Sequence, residues 1–186
     1  MKYLVALIPI AAFISACDSA EPAHPNARPA PVEANDPGSP AAQFVGTFKH
    51  VGAQAEVEAR DAAIDGVVGQ MGMLSRGIAR DRLKESNPVA STISVSADQG
   101  SVTIAMDDRS YTAPLDGTPV KVKGITGDEL DLSVKIGDGL EQTFSGDEKG
   151  RINSMRIENN RLILTVVVHA EALPTKLTYT LTYERA

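Results

Sequence analysis

Cys17 is the single thiol in a chain of 186 residues. The chain therefore forms no intramolecular disulfide, and any thiol chemistry belongs to that residue. Arg76 and Arg80, within Ser75-Arg76-Gly77-Ile78-Ala79-Arg80-Asp81-Arg82-Leu83, stand four positions apart. On a helix that spacing places both guanidinium groups on one face, where they can hold a carboxylate or a lipid phosphate. The plainer reading is a solvated face salted by Asp81 and Glu85. His24, His50 and His169 are scattered without metal-ligand spacing, so no metal is expected. The acids gather in Asp107-Asp108, Asp128-Glu129 and Asp147-Glu148, where hairpin turns need them in any case. Hydrolysis would want a nucleophile next to a base or paired carboxylates in a pocket, which acids placed in turns do not indicate, and no glycine-rich phosphate loop follows a strand. Neither an enzyme nor a cofactor is expected.

The setting of Cys17 points to its chemistry. The chain opens with Lys2, an apolar run from Tyr3 to Phe13, then Ile14-Ser15-Ala16-Cys17, the order of charge, apolar stretch and small residues found in secretory signals. Tyr3 to Ala16 is fourteen residues, short of the roughly 20 that cross a bilayer as a helix. Ile14-Ser15-Ala16-Cys17 resembles the lipobox of bacterial lipoproteins at every position. The resemblance implies that residues 1–16 are a cleaved signal peptide and that Cys17 is lipidated. The mature chain would then be anchored in the bacterial envelope and face the periplasm, with its thiol consumed. Two or more acyl chains anchor stably, at about 0.8 kcal/mol per buried methylene. Asp18 resembles the inner-membrane retention signal of enterobacterial lipoproteins, which tilts the address toward the inner membrane and leaves the outer membrane open.

Residues 17–43 read as a tether. Six of the eleven prolines (Pro22, Pro25, Pro29, Pro31, Pro37 and Pro40) fall there, and no aromatic residue does. Such a stretch has nothing with which to build a core. Extended at about 3.1 Å per residue, the segment after Cys17 reaches roughly 80 Å at most. The formal charge is −6, or −7 without Lys2, with acidic and basic residues interspersed. No basic stripe exists to neutralise phosphates, which argues against nucleic acid.

Residues 44–186 have the length of one domain. Phe44 to Val51 has the composition of a short strand. Val57, Ile64, Val67, Val68, Met71, Leu74, Ile78 and Leu83 then recur at three- and four-residue spacing, which predicts helix from about Gln54 to Lys84. Gly69, Gly72 and Gly77 predict two helices with a break near Gly72, ended by Asn87-Pro88. Met71, Met73 and Leu74 at the break suit either core packing or a flexible portal. From Thr92 the period becomes two. Nine short runs are separated by turn sequences such as Asp98-Gln99-Gly100, Gly137-Asp138-Gly139 and Asn159-Asn160. The expected fold is mainly β: an antiparallel meander of about ten strands, closed into a barrel because closure removes two free edges.

One strand, a helical pair and a nine-strand meander is the order of the fatty-acid-binding proteins. Phe44-Val45-Gly46-Thr47-Phe48-Lys49 resembles their opening strand, with Phe48 in place of the usual tryptophan, and Tyr183-Glu184-Arg185-Ala186 resembles their closing one. In the wider group that includes the lipocalins, an arginine of the last strand covers a glycine-x-tryptophan of the first. The resemblance implies that Arg185 closes one barrel end over Gly46 and Phe48, a cation–π contact of about 0.5 to 2 kcal/mol. It also places Leu181 where ligand-binding members carry an arginine two residues before Tyr183, and Met155 beside Arg156 near the second. A carboxylate clamp therefore does not carry over. Alternation puts Leu177, Tyr179, Leu181 and Tyr183 on one face of the last strand, so an apolar ligand would meet Leu181 and Tyr183. The helical insertion is longer than usual for the family, enough for a larger lid or a plug.

The expected function is a membrane-anchored lipoprotein whose barrel binds a small hydrophobic or lipid ligand, with Arg76 and Arg80 as further ligand contacts. The alternative is a protein-interaction module, a scaffold or inhibitor acting through its outer surface. An open interior favours the first and a filled one the second.

Overall fold

The computed structural model describes residues 41–186. Cys17, the signal-like segment and most of the proline-rich stretch lie outside the described residues. A short 3-10 turn (Ala42–Phe44) precedes β1 (Gly46–His50), α1 (Ala53–Val68) and α2 (Met73–Ser86). Nine strands follow: β2 (Thr92–Asp98), β3 (Ser101–Met106), β4 (Arg109–Pro114), β5 (Val120–Lys123), β6 (Glu129–Ile136), β7 (Leu140–Ser145), β8 (Lys149–Glu158), β9 (Arg161–Ala170) and β10 (Leu177–Arg185). The strand composition at Phe44 overreaches by two residues, because Phe44 belongs to the 3-10 turn and is buried there.

The sheet runs β4-β3-β2-β1-β10-β9-β8-β7-β6-β5, every pairing antiparallel, in a nearly closed barrel. From β2 onward sequence neighbours pair across short links, two residues long at Gln99-Gly100, Asp107-Asp108 and Asn159-Asn160, except β4 and β5, which do not pair. At Asn159-Asn160 both residues take the left-handed conformation, φ 50° and 62°, whose twist matches that of the flanking strands. The first and last strands close the circle, with Phe48 opposite Arg185 and His50 opposite Tyr183. Edges remain only at β4 and β5. Across them the Tyr111 hydroxyl donates to the Lys123 carbonyl at 3.2 Å, and the Tyr111 ring meets Phe144 edge-on at 5.0 Å.

Gly69 to Gly72 separate the helices, whereas Gly77 sits inside α2, a cost of about 0.5 to 1 kcal/mol that the surrounding contacts offset. Asp61 accepts from Lys84 at 2.8 Å and Asp65 from Arg80 at 2.6 Å, tying α1 to α2. The Glu56 carboxylate accepts from the Thr182 amide at 2.8 Å and from His50 Nε2 at 2.9 Å, pinning the start of α1 across the β1–β10 seam. Ile64, Val67 and Val68 of α1 are buried in the core with Phe44, Phe48 and Ile93. Only Leu83 of α2 is buried. Burying an apolar side chain of this size stabilises by about 1.5 to 3 kcal/mol, so α1 is held by packing and α2 largely by polar ties.

Candidate functional site

Strand alternation decides which side chains enter the barrel. On β7 they are Leu140, Gln142 and Phe144; on β8, Arg151, Asn153 and Met155. The register sets Leu140 opposite Met155, Gln142 opposite Asn153 and Phe144 opposite Arg151. These pairs form three interior layers. The Leu140–Met155 layer is closed and apolar, continued by Leu164 and Leu181, all at most 1% exposed. The Phe144–Arg151 layer borders open space, and the Gln142–Asn153 amide pair is the floor between them.

That space is a cavity of about 940 Å³, lined by one side of α2, the segment from Asn87 to Ala90, the turns after β3 and β5, the ends of β7, β8 and β9, and Leu173. Its volume lies within the usual range for sites that take small molecules. Met71, Ile78, Leu83, Met106, Phe144 and Leu173 supply apolar wall, and charged residues of both signs line it too, among them Arg82, Arg109, Asp107 and Asp108, with Lys149 bonded to Asp128 at 2.6 Å. The arrangement fits an amphiphile, apolar along its length and polar at one end.

The floor is a connected polar set. Asn153 Nδ2 donates to Gln142 Oε1 at 2.8 Å, with both residues 1% exposed. Arg151 Nε donates to Asn153 Oδ1 at 2.8 Å. Arg151 Nη1 reaches Asn87 Oδ1 at 3.2 Å and the Ser86 carbonyl at 3.3 Å. Asn87 is itself buried, donating to the Leu83 carbonyl at 2.9 Å and accepting from Arg60 Nη1 at 2.8 Å through its own carbonyl. Among the described residues, no carboxylate forms an ion pair with Arg151. The Tyr179 hydroxyl is buried close to that guanidinium without a hydrogen bond of good geometry, and burial pushes its pKa up. The phenol stays neutral and keeps its proton to donate.

The four residues expected to contact a ligand are placed elsewhere. Arg76 Nε donates to the Met71 carbonyl at 2.8 Å and Arg80 pairs with Asp65, and neither lines the cavity. They share a helix face as the spacing implies, but that face looks away from the opening. Leu181 and Tyr183 point inward, in the filled half of the barrel. The Tyr183 hydroxyl donates to the Ala90 carbonyl at 3.1 Å, and burial raises its pKa strongly. Its role is packing. The floor residues Gln142, Arg151 and Asn153 escape a reading by motif. Alternation along β7 and β8 carries the signal that finds them, a run of polar residues at inward positions.

At the filled end, Arg185 lies over Phe48, its guanidinium carbon 4.7 Å from the ring centroid. Its Nη1 donates to the Val45 carbonyl at 2.6 Å and Nη2 to the Gln43 carbonyl at 2.9 Å. Gly46 has φ 139°, and a Cβ there would run into Arg185 Nη1. Met71 borders the cavity, while Met73 and Leu74 are 86% and 97% exposed and serve no core. Among the described residues no group of three His, Cys, Asp or Glu side chains could hold a metal, and no helix is long and apolar enough to cross a membrane.

No protein-family profile matches the chain, and no curated protein does. Solved structures do. The REP1-NXSQ fatty acid transporter superposes with a TM-score of 0.50 at 16% identity, over 78% of this chain and 98% of that one. Lipid binding protein 8 of Caenorhabditis elegans gives 0.51 at 11% identity, over 78% and 96%. The fluorescent protein UnaG gives 0.50 at 17% identity, over 78% and 99%. Identities this low speak to architecture alone, and in architecture the chain is a fatty-acid-binding-protein-like barrel.

Proposed function

We propose that this protein is a non-catalytic carrier of a small amphiphile, lipid-anchored at Cys17 in the bacterial envelope and facing the periplasm. The observation that carries the proposal is the cavity of about 940 Å³ between α2 and the Gln142–Asn153 floor. Its apolar wall suits an alkyl chain or a flat ring system, and its polar floor suits a head group. The filled half beneath the floor shortens the site, so the ligand sits under α2 and does not reach β10. Two solved barrels of the same architecture are a fatty acid transporter and a lipid binding protein, which supports a lipid-like ligand. The open interior favours a carrier over a surface-acting interaction module. A tether after Cys17 would let the opening approach a bilayer, and Asp18 favours the inner membrane.

The test is a titration of the full chain with a fluorescent fatty amphiphile that brightens in apolar surroundings. Saturable one-to-one binding is expected, and Phe144→Arg, which puts charge into the cavity wall, should weaken it at least about tenfold. Unsaturable binding, or equal binding by Phe144→Arg, rules out the cavity as the site.

A further inference from the structure

The unusual feature of the floor is the double duty of Arg151. One edge of its guanidinium is braced by Asn153 Oδ1 at 2.8 Å. Nη1 is spent on two neutral acceptors at the C-terminal end of α2, Ser86 O at 3.3 Å and Asn87 Oδ1 at 3.2 Å. Both distances lie at or beyond the long end of the usual N–H···O range. A helix C-terminus carries partial negative charge, so it partly compensates a half-buried cation that has no ion-paired carboxylate among the described residues. A charge drawn even partly out of water is costly unless well paired. Here the pairing is weak.

Arg151, Ser86, Asn87, Gln142 and Asn153 all line the cavity. An anionic oxygen entering it therefore meets the same guanidinium that holds the helix. Charge-assisted bonds to guanidinium are about twice as strong as neutral ones, and a carboxylate or phosphate can take two at once. The competition between them is unequal. The other ties at the end of α2 all run to α1 or to the core: Leu83 is its one buried residue, Lys84 bonds Asp61 at 2.8 Å, and Arg60 Nη1 holds the Asn87 carbonyl, so Arg151 is the link from this turn to the barrel floor.

We propose that Arg151 is a ligand-operated latch: an amphiphile with an anionic oxygen head draws Arg151 away from Ser86 and Asn87 and loosens the C-terminal turn of α2. The inference deepens the carrier reading and rests on it. The head is seated by Arg151, with the Gln142 amide beside it, and the same event that fixes the ligand unfastens the helix lying over the opening. A neutral ligand of the same length fills the cavity and leaves the latch closed. Ligand charge thereby governs lid stability, and not occupancy alone.

Hydrogen exchange of the amides from Leu83 to Asn87 in the full chain, read with saturating dodecanoic acid, dodecyl phosphate or dodecanol, tests this. The acid, the phosphate or both should speed exchange there relative to dodecanol, and which of them does so identifies the head. Arg151→Met should exchange fast without ligand, gain nothing from the acid, and lose at least about tenfold more affinity for the acid than for dodecanol. Arg151→Lys, which keeps the cation and loses the fork, should retain the preference for an anionic head and still show fast exchange before ligand is added. Equal exchange with acid, phosphate and dodecanol overturns the latch and leaves the carrier reading standing. Binding of none of the three overturns both.

Discussion

Arg185 shows how one side chain can close a barrel. Its stem crosses the β1–β10 seam, its plane lies over Phe48, and its two Nη atoms satisfy the Val45 and Gln43 carbonyls. Arg185→Ala removes a cation–π contact and two charge-assisted hydrogen bonds while leaving Phe48 buried, so it should cost about 1 to 3 kcal/mol in urea unfolding. An unchanged midpoint would mean that the seam is held by strand pairing alone. The placing of Arg185 over Gly46 and Phe48 was legible through the resemblance to the fatty-acid-binding and lipocalin group, whose glycine, aromatic and arginine positions this chain matches on its first and last strands. The ligand contacts were not. Arg76 and Arg80 share a face, but helix spacing carries no information about where that face points, which is decided by Asp65 on α1. Leu181 and Tyr183 face inward as alternation requires, yet alternation does not say which half of the interior is empty.

At the scale of elements, α1 is held by burial while α2 leans on a few polar ties to it. The Lys84 ammonium bonded to Asp61, with Arg60 adding to it against a desolvation cost, holds the Asp61 carboxyl below its ordinary 3.8. A carboxylate whose folded pKa is lowered adds stability that is complete above the unfolded value. That stability is lost as pH falls through the lower folded value. The parent should therefore exceed Asp61→Asn in stability by a constant margin near neutrality, below about 1 kcal/mol for so exposed a pair, and lose that margin as the pH drops below 3.8. A margin that vanishes near pH 6 instead would place the responsible titration elsewhere. The nine-strand meander was readable because turn residues, several with positive φ such as Gln99, Asn159 and Asn160, punctuate it. The role of α2 was less readable. Leu74 and Ile78 keep helical period with Leu83, but they are 97% and 61% exposed, since α2 roofs a cavity and has no core beneath most of its length.

At the scale of the whole molecule, two physical arguments meet. A chain tethered at Cys17 would stay near its source of amphiphiles, and a barrel filled in one half and open in the other offers them a shallow site under a weakly held helix. Neither requires a metal, a nucleotide or a nucleophile. The cavity itself could not be read from the sequence, because its volume is what remains after Leu140, Met155, Leu164 and Leu181 pack one half and Gln142 pairs with Asn153 above them.

Native mass spectrometry of the intact chain, extracted from bacterial envelopes in mild detergent, puts the carrier claim to its most direct test. The prediction is one amphiphile held non-covalently per chain, on a polypeptide whose mass shows acylation at Cys17 and loses it in Cys17→Ala. Chains that emerge empty from every envelope preparation, and stay empty when amphiphile is added back, would contradict it.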